Sequence, residues 1–292
     1  MLYYLKRKED SILRNSTRIW INGANGQVGK AILSALDCTE YEVITSDTDI
    51  DVTDLSQVTS FCDINYPDVI IHCAASSNID SNNNVESTYK VNTLGARNTA
   101  IAARRVNAKI IYLSTDDVFD GSAGHPLNEF DFPNPNTVYG KSKLAGEQFV
   151  KELCPKHLIV RSSWIYGDSV NNFAYKIISD AKSGKQIQAA INELSSPTSA
   201  KALADFIIEL IDTTEYGIYH ASCEGVCSRF EFAQALLKRA GIEYEVTPIV
   251  SEKPVNTMLD NLMMRMTGIY SMPNWEKALD DFFTERSLLN EK

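Results

Sequence analysis

The sequence predicts an α/β protein with a doubly wound parallel sheet and a smaller C-terminal α/β region. Two observations support this prediction. Short apolar, β-branched segments alternate with amphipathic helical patterns from Arg18 to about Arg161, and the segments are RIWIN, EVITS, DVIIHCA, KIIYLS and HLIVRS. Because these segments are apolar almost throughout, we expect each strand to be buried on both faces, as in a parallel sheet covered by helices on both sides.

Beyond Arg161 the pattern becomes mixed. It predicts helices over about 173–183, 200–212, 230–240 and 275–283 and a strand at 217–220. We therefore divide the chain into an N-terminal arm (1–17), a regular α/β domain (18–165) and a smaller mixed region (166–292), between which the chain can cross. The arm is expected to be a surface segment, with a partner-binding helix as the alternative.

Composition excludes some classes of function. The net charge of −10 opposes sequence-independent binding to nucleic acid or to an anionic membrane surface. No apolar run approaches the ~20 residues that span a bilayer, so we predict a cytoplasmic protein without a membrane partner. The six cysteines and four histidines are scattered, and Cys223 and Cys227 form a lone pair without matching ligands. We predict no metal site, with a zinc site at this pair as the alternative.

A glycine-rich loop follows the first predicted strand and opens a helix. It reads Gly23-Ala24-Asn25-Gly26-Gln27-Val28-Gly29. Glycines in this setting let the backbone approach a pyrophosphate, whose charge meets the helix N-terminus. A tight structural turn is the alternative interpretation. We predict a Rossmann-type NAD(P)-binding domain in which the ligand is contacted by Gly23, Asn25, Gly26, Gln27, Val28 and Gly29.

Acidic residues after the second strand bear on the choice of cofactor. Asp47 stands where a carboxylate would bind the adenosine ribose diol and disfavour a 2′-phosphate. This favours NADH over NADPH, although neighbouring hydroxyl groups soften the preference. Asp51 and Val52 come next and are expected near the adenine. An N-cap at Asp54 is the alternative interpretation of that segment.

Tyr139 and Lys143 are the candidate catalytic pair. Residues four apart share one face of a helix, so the Lys143 ammonium is predicted to lie near the Tyr139 hydroxyl and to lower its pKa. A tyrosine tuned in this way can protonate a carbonyl oxygen. An ordinary solvated helix also carries this spacing, so the pair gains meaning from the rest of the chain.

Several strings occur together and in order, namely GANGQVG, DVTD, HCAAS, VNTLGARN, LSTDDVFDG, YGKSK and RSSWIYG. With them the chain resembles the extended short-chain dehydrogenase/reductases, and within these the dTDP-4-dehydrorhamnose reductase family, over roughly residues 18–285. The resemblance implies a Rossmann domain with a smaller sugar-nucleotide region. It also implies NADH or NADPH as cofactor, a small-molecule nucleotide-sugar substrate and a possible homodimer.

The resemblance also assigns roles to catalytic and cofactor residues. Tyr139 would give a proton to the substrate C4 oxygen, Lys143 would tune it and bind the nicotinamide ribose, and Thr115 would hydrogen-bond the same oxygen. Asn92 would support the lysine. The segment passing beside the cofactor would be Ala74, Ala75 and Ser76.

Residues facing the sugar nucleotide would be Asp116, Asp117 and Trp164, with a core aromatic as the alternative for Trp164. Departures from the family pattern cluster on this side. Asp117 replaces a usual tyrosine, the segment 193–198 lacks a usual amide and glycine, and the loop 76–80 differs as well. In segment 252–257 the family's arginines are replaced, so that Lys253 is at best a point charge for a phosphate.

These observations lead to one main hypothesis and two alternatives. The first is NAD(P)H-dependent reduction of the C4 keto group of a nucleotide-activated 4-keto-6-deoxy sugar, namely dTDP-4-dehydrorhamnose to dTDP-L-rhamnose. The second keeps the chemistry but changes the nucleotide keto sugar, because the substrate side departs from the family. The third is a non-catalytic, nucleotide-binding regulatory homologue, which would bind cofactor without hydride transfer.

Overall fold

The computed structural model of the protein describes residues 16–76, 84–170 and 172–290. Residues 1–15 of the predicted N-terminal arm lie outside this part of the chain, and so do residues 77–80 of the loop with the altered pattern. Among the described residues, no helix is long and apolar enough to cross a membrane.

A parallel sheet lies at the centre of the described structure. Its strands are β1 (Thr17–Asn22), β2 (Tyr41–Ser46), β3 (Val69–His72), β4 (Lys109–Thr115), β5 (His157–Ser162) and, from later in the chain, β10 (Gly217–His220). They lie in the order β2-β1-β3-β4-β5-β10, and each neighbouring pair is parallel. The predicted fold class and the predicted strands are therefore confirmed.

Helices cover the two faces of this sheet. In the first part of the chain they are α1 (Gln27–Ala35), α2 (Leu55–Asn65), α3 (Val85–Tyr89), the π-helical segment Lys90–Gly95, α4 (Ala96–Val106), the 3-10 turn Asp116–Val118 and α5 (Val138–Leu153). Alternate residues of β1 point to opposite faces, so Ile19 and Ile21 join one buried cluster while Trp20 joins the other. Burial on both faces explains why the strand sequences are apolar almost throughout.

Short strands and further helices form the second part of the chain. The strands are β6 (Ile165–Tyr166), β7 (Ile187–Ala190), β8 (Leu194–Ser195), β9 (Thr198–Ser199), β11 (Cys227–Ser228) and β12 (Val246–Ile249). The helices are α6 (Phe173–Lys182), α7 (Ala200–Asp212), α8 (Arg229–Arg239), α9 (Leu262–Thr267) and α10 (Trp275–Asn290). The strands pair as β6 with β9, β8 with β11 and β7 with β12.

One hydrophobic cluster runs through both parts of the chain. It joins Ile21 and Val160 of the central sheet to Phe206 of α7 and Phe232 of α8. In addition, β10 belongs to the central sheet although it follows residue 166. The chain therefore crosses between the two parts, and the division at residues 165 and 166 stays a prediction.

The strand order places a binding crevice in the sheet. From β1 the chain turns to β2 on one side and later to β3 on the other. The loops that follow β1 and β3 therefore diverge at the carboxyl edge of the sheet, which is where open α/β sheets bind ligands.

Candidate active site

Glycines let the loop after β1 pack tightly against neighbouring backbone. Gly23 has a φ of +68°, and a Cβ added there would lie 2.5 Å from the backbone nitrogen of Ala74. A Cβ added to Gly29 would lie 2.6 Å from the carbonyl oxygen of Gly23. Because the N-cap of α1 is Gly26, no side chain of its own covers the first-turn amides. These amides and the helix dipole form a place for a pyrophosphate, so the loop fits a dinucleotide.

Asp47 lies beside this loop, as the sequence predicts for a ribose-binding carboxylate. Its Oδ2 accepts a hydrogen bond of 3.0 Å from the backbone nitrogen of Asn25. The side chains of two other predicted loop residues, Val28 and Gln27, already interact with other parts of the protein. Val28 is buried in the core, and the Gln27 side chain accepts a hydrogen bond of 2.8 Å from Asn172. Contacts from these two residues to a cofactor would therefore use their backbone.

The segment expected near the adenine divides into structural and exposed residues. Asp54 is the N-cap of α2 and accepts hydrogen bonds from the backbone of Ser56 and Gln57, so the alternative interpretation of this carboxylate is the observed one. Val52 is buried, and a Cβ added to Gly95 would lie 2.9 Å from it. Asp51 is exposed, and its Oδ1 accepts a hydrogen bond of 2.9 Å from the backbone nitrogen of Thr53.

Asn92 ties the segment after β3 to the catalytic helix. Its side chain accepts a hydrogen bond of 2.7 Å from the backbone nitrogen of Ser76 and donates one of 2.9 Å to the Ser142 hydroxyl. Ala75, next to Ser76, is exposed and lines the cavity described below, whereas Ala74 lies against Gly23. Asn92 thus ties the backbone of Ser76 to the Ser142 side chain on α5, and its predicted support of the neighbouring lysine stays a prediction.

Tyr139 and Lys143 both lie on α5, in its first two turns. The Thr137 side chain caps this helix by accepting a hydrogen bond from the backbone nitrogen of Gly140. Lys143 Nζ donates a hydrogen bond of 2.6 Å to the carbonyl oxygen of Leu113 and lies 4.1 Å from the centroid of the Tyr112 ring. The carbonyl dipole and the ring face both stabilise the ammonium at this place.

The pKa shifts run opposite to the direction that the sequence argument predicts for Tyr139. Burial, followed by the charges of Asp117 and Asp116, raises the pKa of Tyr139 above its usual value. Burial also lowers the pKa of Lys143 to about 7, against the opposing charge of Glu147. The reason is that burial and two nearby carboxylates favour the neutral phenol. A raised pKa keeps the Tyr139 phenol protonated at neutral pH, as a proton donor requires.

The catalytic candidates meet in a cavity of about 550 Å³ at the carboxyl edge of the sheet. This volume is typical of sites for small molecules. The predicted residues that line the cavity are Ala75, Thr115, Asp116, Asp117, Tyr139, Lys143 and Trp164. Residues from the second part of the chain close it, among them Glu193, Arg229, Val255 and Thr257.

Asp116 connects Thr115 to the second part of the chain. Its Oδ1 accepts a hydrogen bond of 3.1 Å from the Thr115 hydroxyl, and its Oδ2 accepts one from the Thr257 hydroxyl. Burial, and then the charge of Asp117, raises the pKa of Asp116 to about 7. The two threonine hydrogen bonds oppose this shift because they favour the carboxylate. Near neutral pH, both the protonated and the ionised form of Asp116 are therefore populated.

Trp164 lines the cavity and carries backbone strain. Its φ is +41°, in the left-handed region that residues other than glycine seldom adopt. The guanidinium carbon of Arg229 lies 3.5 Å from the centroid of its indole ring. Trp164 is partly exposed and also packs against the main hydrophobic cluster, so its contact with the sugar nucleotide stays a prediction.

Arg229 is a residue that the sequence analysis missed. It occupies the first position of α8, after the N-cap Ser228 and its capping-box partner Glu231. A cation in the first turn of a helix is opposed by the helix dipole, and this could have marked Arg229 in the sequence. Thr257 was also missed, because nothing local connects it to Asp116.

Lys253, the predicted phosphate contact, is not brought into the cavity with the other predicted residues. It is exposed, and the cavity is instead lined by Val255 and Thr257 from the same segment. Within the described residues, no group of three histidine, cysteine, aspartate or glutamate side chains could hold a metal ion. His72 and His220 are buried, and desolvation lowers the pKa of each to about 3.

A glycine loop at the switch point, and a tyrosine and a lysine in the cavity at the same edge of the sheet, place this protein among the extended short-chain dehydrogenase/reductases. Comparison with known proteins defines the family more narrowly. Residues 17–288 match the family described as RmlD substrate binding domain, and the chain belongs to this family.

Three relatives illustrate the similarity. The chain is 33% identical over 284 residues to dTDP-4-dehydrorhamnose reductase of Aggregatibacter actinomycetemcomitans, covering 90% of this chain and 97% of the relative. It is 31% identical over 280 residues to the spore coat polysaccharide biosynthesis protein SpsK of Bacillus subtilis, covering 93% and 98%. The crystal structure of dTDP-4-dehydrorhamnose reductase from Bacillus anthracis in complex with NADP is 40% identical, covers 92% of this chain and 98% of that one, and superposes with a TM-score of 0.89.

Proposed function

We propose that this protein is an NAD(P)H-dependent sugar-nucleotide ketoreductase that reduces the C4 keto group of dTDP-4-dehydrorhamnose to give dTDP-L-rhamnose. The observation that carries the proposal is the meeting of Thr115, Tyr139 and Lys143 in one cavity beside a dinucleotide loop. The names of the relatives support the same substrate, and one of those relatives is in complex with NADP.

The residues of the cavity account for the proton side of the reaction. A bound nicotinamide supplies the hydride that attacks C4. Tyr139 gives its phenolic proton to the C4 oxygen as negative charge develops there. Lys143, held between the Leu113 carbonyl and the Tyr112 ring, places a positive charge on the same helix face and stabilises the phenolate that remains.

The protonation state of Asp116 determines whether the Thr115 hydroxyl can donate a hydrogen bond to the substrate. In the structure the single hydroxyl proton of Thr115 points to the Asp116 carboxylate. When Asp116 is protonated it can itself donate to Thr115, and the Thr115 proton is then free for the C4 oxygen. Because the pKa of Asp116 is raised to about 7, both arrangements are accessible near neutral pH.

A second candidate is the reduction of a different nucleotide-activated keto sugar. Asp117, Glu193 and Arg229 line the cavity and would give its sugar-binding wall an unusual charge pattern. A third candidate, a regulatory homologue without turnover, keeps the cofactor site but transfers no hydride. The family resemblance favours the rhamnose precursor over both.

The test is the loss of reduced-nicotinamide absorbance when purified protein meets a panel of nucleotide keto sugars, with NADH and with NADPH. Turnover of dTDP-4-dehydrorhamnose above that of the other sugars is the expected result. Turnover of another sugar alone would establish the second candidate. Cofactor binding without turnover of any sugar would establish the third.

The remaining expectations on cofactor and partners stay predictions. A preference for NADH rests on Asp47, whose carboxylate lies beside Asn25 of the loop. A cytoplasmic location, a homodimer and the absence of nucleic-acid or membrane partners rest on the sequence alone.

A further inference from the structure

Arg229 is held in the wall of the substrate cavity by aromatic rings. Its guanidinium carbon lies 3.5 Å from the centroid of the Trp164 ring and 4.8 Å from that of the Phe173 ring. These rings belong to different elements, one in the loop after β5 and one in α6. Stacking of this kind fixes the plane of a guanidinium while leaving its N–H donors at the edge.

The Arg229 side chain is part of the cavity lining. Within the described part of the chain, the guanidinium contacts rings but makes neither a hydrogen bond nor an ion pair. The side chain is largely buried, and burial lowers the pKa of Arg229 to about 10 although the charges of Asp116 and Glu193 oppose the shift. A planar cation with unused donors, kept at a helix N-terminus against the dipole, is suited to an anionic ligand.

The charges of the cavity indicate which anion. The lining contains three carboxylates, of Asp116, Asp117 and Glu193, and two cations, Lys143 and Arg229. Lys143 already donates to the carbonyl oxygen of Leu113 and belongs to the reacting end of the site. A nucleotide sugar brings a diphosphate into this acidic cavity, and repulsion would oppose its entry unless a cation met it.

We propose that Arg229 binds the diphosphate of the nucleotide-sugar substrate, with Trp164 holding the guanidinium plane in position. This inference rests on the proposed function for the identity of the substrate. It assigns to α8 the phosphate contact that the sequence analysis placed at Lys253, which is exposed at the surface. Arginine suits this role because its fork of donors engages two phosphate oxygens at once.

The experiment compares Arg229→Gln and Arg229→Lys with wild type in binding and in turnover. Titration calorimetry measures the affinity for dTDP and for thymidine, which differ only in the diphosphate. Steady-state kinetics measures KM for the nucleotide sugar, KM for NADPH and kcat. The control is Arg239→Gln, the same substitution on the same helix at a residue paired with Asp280. Thermal melting and NADPH affinity verify that each variant is folded.

We expect Arg229→Gln to weaken dTDP binding about 10- to 100-fold while thymidine binding changes little, as loss of a hydrogen-bonded charge predicts. KM for the nucleotide sugar should rise by a similar factor, with kcat and KM for NADPH nearly unchanged. The dTDP affinity of Arg229→Lys should lie between those of Arg229→Gln and wild type, because lysine keeps the charge but lacks the forked pair of donors.

The dTDP measurement needs no turnover, so it separates this inference from the proposed reaction. If the wild type fails to reduce the sugar but Arg229→Gln still loses the preference for dTDP over thymidine, the diphosphate contact stands and the reaction does not. Unchanged dTDP affinity in Arg229→Gln, or loss of that affinity in Lys253→Gln instead, would overturn the assignment.

Discussion

The cofactor side and the substrate side of this crevice are built in different ways. The cofactor side consists of one continuous stretch of backbone after β1, shaped by glycines at which an added Cβ would collide with neighbouring backbone. The substrate side is assembled from separate segments around residues 115–117, 164, 193, 229 and 255–257. A site made of local backbone can be predicted from a short motif, whereas a site made of distant side chains depends on how the chain packs.

The largest expected effect is that of Tyr139→Phe, at the junction of the two sides. Removing the phenolic proton donor should lower kcat by about 10²- to 10⁴-fold, the usual contribution of a general acid. Affinity for NADPH should change little, since the ring remains in place. Stopped-flow or steady-state assays give kcat, and fluorescence titration gives cofactor affinity. Turnover that survived undiminished would remove Tyr139 from the mechanism.

The second effect tests the cofactor side, which is built from backbone. Gly23→Ala should lower NADPH affinity by more than about tenfold, or destabilise the fold by about 1–3 kcal/mol, because the new Cβ meets backbone in a left-handed conformation. The matched control is Gly124→Ala, where an added Cβ has no neighbour within 4 Å. A Gly23 variant as stable and as tight-binding as the control would show that the loop has room to spare.

The third effect tests the substrate side, which is assembled from separate segments. Thr257→Val removes the hydroxyl that donates to the buried Asp116 carboxylate, and unfolding free energy should fall by about 1–3 kcal/mol. Thr39→Val is the control, because Thr39 also donates to an aspartate, Asp37, but at the exposed surface. Urea unfolding of both variants measures the difference. Equal small losses would mean that the Asp116 contact contributes no more than a solvated one.

The most gradual effect is a pH dependence. The pKa of Asp116 is raised to about 7 in the fold, so ionisation of Asp116 destabilises the native state. The favourable contribution of protonated Asp116 to the unfolding free energy is fully present below its unfolded pKa and is lost as the pH rises to about 7. Asp116→Asn lacks this titration. Its stability relative to wild type should increase from pH 4 to pH 7 by at most about 1.4 kcal/mol per pH unit and then level off.

Unfolding experiments on the two proteins at pH 5, 6, 7 and 8 give this difference directly. Other groups titrate in the same range, Lys143 among them with its pKa lowered to about 7, but they are common to both proteins. A stability difference that stays constant with pH would show that Asp116 ionises normally in the fold.

Much of the fold could be predicted because local patterns determine it. The strand at 217–220 and the helix at 200–212 were predicted with the bounds that the structure shows, and the helix at 230–240 differs by one residue at each end. The two-residue strands such as β8 and β11 could not be predicted, since they are too short to show a period. The helix α9 was also not predicted.

The candidate site divides in the same way. The tyrosine, lysine and glycine positions follow from spacing within one motif. The pKa of Tyr139 moved in the unexpected direction because sequence spacing shows the nearby ammonium but not the depth of burial. Arg229 reaches the cavity only because α8 packs beside the loop that carries Trp164, a contact between residues far apart in the chain.

The most direct test of the proposed reaction follows the hydride itself. Purified protein is given dTDP-4-dehydrorhamnose and NADPH or NADH labelled with deuterium at the transferable position of the nicotinamide, and the product is analysed by mass spectrometry and NMR. We expect dTDP-L-rhamnose carrying one deuterium at C4. Failure to form this product with either labelled cofactor, while the protein still binds that cofactor, would contradict the proposed reaction.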